Sequence, residues 1–457
     1  MLPGPTGRPI VNMVRWLRSP LPMLDDLAAR HGTVFSVPLP RQKQPMVFFA
    51  EPAAIRDLWT GDPDVLRAGE ANEILRSVVG DGSLLVLDSD RHLRERRLLL
   101  PPFHGDRMRA YGEVMRDATL REVATWPLGR VFPVHASMQT ITLEVITSTI
   151  LGASDGREHS SLRAALVRWT TLGTSRLGNA LLLLTPVEHA KTLRNLAAGP
   201  WGRWLPWARL TRAQQDLDLR LRELITARRR EGTAGRVDVL SMLVDAKDDE
   251  GQPMTDDELR DEMLTLLVAG HETTATTLAW TLHHLVEHPA WLARVAAEVR
   301  EIVGDGQVRP EHADRMVLLD AVIKETLRLT PIVPLVARKL SRVATIGGIE
   351  LQAGMVAVAA IYLVHRRPDL WPEPTRFDPS RFVGNKIDPT HYFPFGGGTR
   401  RCLGMAFASY EMKIVLATIL LRFDLGRAAG ERIRVVRRGI TLAPSGGMPI
   451  VARAHRA

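Results

Sequence analysis

Cys402 is the one cysteine among 457 residues, and it sits in the stretch FPFGGGTRRCLGMAFA, Phe393 to Ala408. The thiolate, not the thiol, is the nucleophile and the metal ligand. Three glycines ahead of Cys402 let backbone N–H groups come close to a sulfur. A helix-like run behind it would aim its positive end at the same atom, and Arg400 and Arg401 add positive charge. All of this favours a sulfur anion. Two chemistries use one: covalent catalysis, which needs a histidine base close by, and axial ligation of iron. A lone thiolate without clustered histidines points to haem, because a porphyrin supplies the equatorial donors.

Three further constellations have chemical content. AGHETT, Ala269 to Thr274, lies inside a long helical pattern that opens on a capping box, Thr255-x-x-Glu258, and ends before Pro289. A glycine inside a helix costs about 1 kcal/mol against alanine, so Gly270 marks a close approach to the backbone. Glu325 and Arg328 in KETLRL stand one helical turn apart and can pair. In HLRERR, His92 and Arg96 share a helical face.

Phe395-x-x-Gly398-x-Arg400-x-Cys402-x-Gly404 resembles the haem-binding signature of the cytochrome P450 family, and the other motifs follow in that family's order. The resemblance covers nearly the whole chain from about residue 20. It implies haem b with Cys402 as axial ligand. It places Ala269 and Gly270 over the distal haem face and makes Glu272 and Thr273 the acid–alcohol pair that carries protons in O2 activation. It assigns His92, Arg96, Arg338 and Arg400 to the haem propionates. It also joins Glu325 and Arg328 to Arg381 of FDPSRF in a structural triad; Ser380 stands there where the family commonly has glutamate.

The implied activity is insertion of one atom of O2 into a hydrophobic small molecule (fatty acid, terpenoid, steroid or polyketide), with electrons from a ferredoxin or flavodoxin and its NAD(P)H reductase. Alternatives are a peroxide-driven or rearranging haem-thiolate enzyme, or a non-catalytic haem-binding sensor. A cysteine hydrolase ranks behind these, because no histidine sits in a recognisable base motif. Basic residues Arg94, Arg97, Arg401 and Lys413 are expected to form the partner's dock.

The elements that must position these residues read as mainly α with minor β sheets. Helical spacing dominates from about 86 to 300. Strand-like runs occur at 30–66 and 334–364, forming a β-containing lobe, and the tail GITLAPSGGMPIVARA reads as a hairpin. The expectation is the P450 fold, a long central helix over the haem and a proximal cysteine loop, as one domain over 1–457 with no fused reductase. A single cysteine excludes an intrachain disulfide and suits a reducing cytoplasm. The formal charge of +9 comes without any nucleic-acid motif. No apolar run is long enough to span a membrane, so the protein is expected to be an unanchored monomer. Trp201, Trp204 and Trp207 read as a packed loop and helix start.

Overall fold

The computed structural model describes residues 2–40, 42–103, 105, 107–152, 157–173, 208–428, 433–438 and 441–454. The Trp201–Trp207 segment lies outside them. The chain forms two compact units, one from Met1–Arg67, Phe103–Val145 and His271–Ala457, the other from Ala68–Pro102 and Ile146–Gly270.

The first unit begins with helices α1 (Pro9–Arg18) and α2 (Pro20–His31), each with proline in its first turn, where the missing N–H is not needed. A five-stranded sheet follows in the order β1-β2-β8-β5-β3. Its strands are β1 (Val34–Val37), β2 (Met46–Phe49), β3 (Leu66–Arg67), β5 (Val336–Leu340) and β8 (Val356–Ala359). β2 and β8 pair in parallel, Met46 opposite Val356 through Phe49 opposite Ala359. Both are shielded on two faces, which explains their unbroken apolar runs. β1 buries only alternate residues and so shows strand alternation. Helix α3 (Pro52–Thr60) packs its Ala54, Ile55 and Leu58 into the same core.

Helices α5 (Arg107–Val123), α11 (Pro289–Val303), α12 (Val317–Leu329) and α13 (Met405–Leu420) also belong to this unit. The Phe407 ring of α13 meets Tyr111 of α5 edge-on, with centroids 5.8 Å apart. Gly112 of α5 is there because a Cβ would stand 2.3 Å from the Tyr410 hydroxyl.

The tail differs from the expected hairpin. β11 (Thr441–Pro444) pairs with β10 (Val435–Arg438), whereas β12 (Pro449–Ala454) pairs with β9 (Phe423–Arg427) and with β4 (Val131–Pro133). Gly446, Gly447 and Met448 all have positive φ. Three left-handed residues in succession turn the chain away from its own strand and into a second sheet.

The second unit is helical: α4 (Ser89–Leu99), α7 (Arg157–Gly173), α8 (Ala208–Glu231) and α9 (Val239–Asp245). Buried Arg228 of α8 holds Asp238 at 2.5 Å and donates to the Leu151 carbonyl at 3.0 Å. Asp238 in turn caps α9 by accepting the Ser241 N–H at 2.9 Å. Two helices run through both units, α6 (Val134–Leu151) and the 32-residue α10 (Asp256–Glu287). The capping box of α10 is formed as expected: Thr255 N–H donates to Glu258 and Glu258 N–H to the Thr255 hydroxyl, at 2.8 and 3.2 Å.

Candidate functional site

The cysteine loop is shaped by its glycines. Gly396 and Gly398 have φ of +68° and +63°, a region that favours glycine. Gly398 also lies against α3, where a Cβ would come within 2.3 Å of the Trp59 carbonyl oxygen. Gly397 faces the same indole, 2.6 Å from its Nε1 by the same measure. The Cys402 N–H donates to the Phe395 carbonyl at 2.9 Å, which closes the loop. Gly404 then caps α13, and the Cys402 thiol is exposed just ahead of that helix's N-terminus. Thus Phe395, Gly398, Arg400, Cys402 and Gly404 belong to one loop braced on α3.

Arg338 on β5 reaches the same support. Its guanidinium lies 5.5 Å from the Trp59 ring centroid, and its Nη1 donates to the Ala337 carbonyl at 2.9 Å. Trp59 is the contact that no local spacing in the sequence signals.

The triad is present with unequal arms. Arg328 Nε and Nη2 donate to Glu325 Oε2 and Oε1 at 2.7 and 2.8 Å, a bidentate pair with both side chains fully buried. Arg381 Nε stands 3.5 Å from Glu325 Oε1, and its Nη2 donates to the Glu373 carbonyl at 3.1 Å. Arg328 Nη1 spans to the carbonyls of His365 and Pro374 at 2.7 and 2.8 Å.

His365 extends this chain of bonds to the cysteine loop. Its Nε2 accepts the Phe393 N–H at 3.0 Å, and its ring stacks on Tyr392. Nδ1 therefore carries the proton. Complete burial, with Arg328 close by, pushes its pKa down to about 3, so the imidazole remains neutral.

On α10, Gly270 is approached by Ile146 of α6; a Cβ at that glycine would lie 2.6 Å from Ile146 Cδ1. The close approach expected from the mid-helix glycine is thus, in part, helix–helix packing, and Ala269 precedes it on the same helix. Glu272 is held by α6: Gln139 Nε2 donates to its Oε2 at 2.7 Å, and His135 Nε2 lies 3.8 Å from its Oε1. His135 also meets the Thr276 hydroxyl at 3.2 Å. The Thr273 carbonyl accepts the Thr277 hydroxyl at 2.8 Å.

On α4, His92 is buried and Arg96 half-buried. The outward role expected of Arg94 does not hold. Its Nε donates to Asp248 at 2.6 Å, and its Nη1 contacts Glu95 and also Glu258 at 3.2 Å. A cation placed among three carboxylates is drawn in to neutralise them. Arg97 pairs with Asp249 at 2.5 Å on the surface. Lys413 is largely covered and lies 3.9 Å from Asp320. Arg401 is exposed.

The donor set fits haem. Among the described residues, no group of three His, Cys, Asp or Glu side chains is placed to hold a metal ion. A lone thiolate ligand suits a metal carried in a cofactor that brings its other donors.

A family model described as "Cytochrome P450" matches residues 2–450. "Putative cytochrome P450 135B1" of Mycobacterium tuberculosis is 39% identical over 458 residues, covering 99% of this chain and 92% of that protein. "Putative cytochrome P450 138" of the same species is 37% identical over 94% of this chain and 91% of its own length. Among solved structures, a cytochrome P450DA heme domain superposes with a TM-score of 0.82 at 26% identity, over 100% of this chain and 97% of that one. A retinoic-acid-bound cyanobacterial CYP120A1 has the same TM-score at 24% identity, over 100% and 99%. The chain belongs to the cytochrome P450 family. It is a haem-thiolate monooxygenase with the mainly α fold of that family, and its haem is bound through a cysteine. No described helix is long and apolar enough to cross a membrane.

Proposed function

We propose that this chain works as one domain that hydroxylates or epoxidises a hydrophobic small molecule of the fatty acid, terpenoid, steroid or polyketide kind. The observation that carries the reading is Cys402, the only cysteine in the chain, set on a glycine-shaped loop at the start of a 16-residue helix. Bound haem supplies the O2 activation that amino acid side chains lack.

The protein's residues have separable tasks. Cys402 holds the metal, and the α13 N-terminus and Arg401 favour its anionic form. Arg338, Arg400, His92 and Arg96 are proposed as propionate partners, because buried carboxylates need cationic neighbours. Ala269 and Gly270 keep α10 narrow. Thr273 offers a hydroxyl, and Glu272 beside it a carboxylate, for proton delivery. The Gln139 bond orients that carboxylate through Oε2. A peroxide-driven or rearranging reaction has no use for such a relay.

Electrons are proposed to come from an acidic ferredoxin or flavodoxin with its NAD(P)H reductase. Arg401, with exposed Arg107 and Arg109 on the neighbouring α5, replaces Arg94 and Lys413 as the candidate dock. A cytoplasmic monomer is proposed. The test is spectral and isotopic. Reduced haem-loaded protein under carbon monoxide should show the thiolate-type Soret band, and Cys402→Ser should abolish it. With labelled dioxygen and a redox partner, one labelled atom should enter the product. A retained band in the variant, or unlabelled product, defeats the reading.

A further inference from the structure

Helix α1 packs half-buried Trp16 against the core but leaves a second apolar patch to solvent. A surface helix normally turns its apolar stripe inward and its polar residues to water. Here Asn12 is the buried residue, 2% exposed, and its Nδ2 donates to the Pro38 carbonyl at 3.1 Å. Arg15 also leans on the protein through Asp26 at 2.7 Å. Ile10, Val11 and Val14 face solvent at 49%, 49% and 41% exposure. Eleven large apolar side chains are exposed among the described residues, and α1, ten residues long, holds three of them. At helical spacing these three share one side, which continues to exposed Arg18. Exposed Arg8 stands at the other end.

The charge around this stripe indicates what covers it. The first fifty residues carry six Lys or Arg and two Asp, a large part of the chain's net +9. Asp25 accepts the Tyr362 hydroxyl at 2.9 Å, and Asp26 is bound by Arg15 and Arg30, so both acids are engaged. Arg30 and Lys43 extend the basic rim into solvent. A second copy of this chain would bring like charge to the rim. An anionic lipid surface offers phosphates at the level of the arginines and an acyl boundary beneath them. A ten-residue helix is only about 15 Å long, half of the ~30 Å hydrocarbon core, so it can lie in the interface but not span it.

We infer that α1 docks the protein peripherally on an anionic membrane surface, with Ile10, Val11 and Val14 in the acyl boundary and Arg8 and Arg18 at the lipid phosphates. The inference is independent of the catalytic reading, because none of these residues belongs to the haem site. Such docking would bring the enzyme to the phase in which a hydrophobic substrate concentrates.

The test is flotation of the haem-loaded protein with vesicles of phosphatidylcholine alone or mixed with phosphatidylglycerol. Wild type should float with the mixed vesicles, and the bound fraction should fall as salt is raised. The pair Val11→Asp with Val14→Asp, and separately Arg8→Gln with Arg18→Gln, should each weaken binding about tenfold or more. Thermal midpoint and carbon monoxide spectrum should be unchanged, since all four side chains point to solvent; a Val→Ser pair is the reserve if the aspartates disturb folding. Absence of wild-type binding overturns the inference. So does equal binding to phosphatidylcholine alone, or variants that float like wild type. If wild type sediments as a dimer that the aspartate pair dissociates, and no lipid binds, a second copy is the occupant instead.

Discussion

Arg328 and Glu325 face each other across one turn of α12 through two parallel N–H···O bonds, and neither side chain touches solvent. Glu325 also accepts the Asp378 N–H at 2.8 Å, so one carboxylate ties the helix to the segment that leads to the cysteine loop. Glu325→Gln leaves a buried guanidinium without its counter-charge and should cost about 3–5 kcal/mol. The expected outcome, measured on expressed protein, is loss of both soluble yield and haem content. A variant that retains haem and melts like wild type would show the pair to be dispensable.

Gly398→Ala tests the brace behind the loop. The added methyl meets the Trp59 carbonyl oxygen, on a backbone whose φ is +63°. The strain should be of order 1–3 kcal/mol. It should show as earlier loss of the thiolate-type band on warming, with a smaller change in far-ultraviolet melting.

Arg94 and Arg97 should now separate. Arg94→Glu adds a fourth carboxylate to Glu95, Asp248 and Glu258, and a loss of about 3 kcal/mol in urea unfolding is expected. Arg97→Glu breaks only an exposed pair with Asp249 and should stay within about 0.5 kcal/mol. Equal effects would contradict the pairing described for α4.

Glu95 carries a pH signature. Burial, reinforced by Glu258, lifts its pKa to about 7 from an ordinary 4.5. The unfolded chain therefore releases this proton at lower pH than the folded one. Between about pH 4.5 and 7 the folded state binds more protons, so stability contributed by this group falls as pH rises and levels off above 7. Glu95→Gln should flatten that part of the thermal-midpoint curve, and above pH 7 it should melt higher relative to wild type than at pH 4.5. An unchanged slope would mean that Glu95 is ionised in the folded protein.

Thr273→Ala should uncouple electron use from product formation. Product per NAD(P)H is expected to fall about tenfold or more, with peroxide rising, because a proton donor has been removed. Unchanged coupling with a competent redox partner would leave Thr273 a purely steric role.

What the sequence conveyed follows from the range of the interactions involved. The cysteine loop, the α10 capping box and the Glu325–Arg328 pair depend on spacings of a few residues, and each stands where those spacings put it. The tail was misread because Gly446, Gly447 and Met448 look like a hairpin tip, while β9 and β4 decide the pairing from elsewhere in the chain. Arg94 was misread because Asp248 is more than a hundred and fifty residues away. Trp59, His365, Gln139 and His135 were missed for the same reason. Each works by touching a distant segment, and nothing in its own neighbourhood announces that.

The parallel pairing of β2 with β8 also sets an order of events at the ribosome. Met46 and its partner Val356 are 310 residues apart in sequence. At 5–20 residues per second, the second strand emerges about 15–60 s after the first. Through that interval β2 offers Val47, Phe48 and Phe49 on an open edge, a template for pairing with the wrong chain. Chaperone cover of that edge, or faster synthesis through the intervening segment, would therefore raise the yield of folded protein.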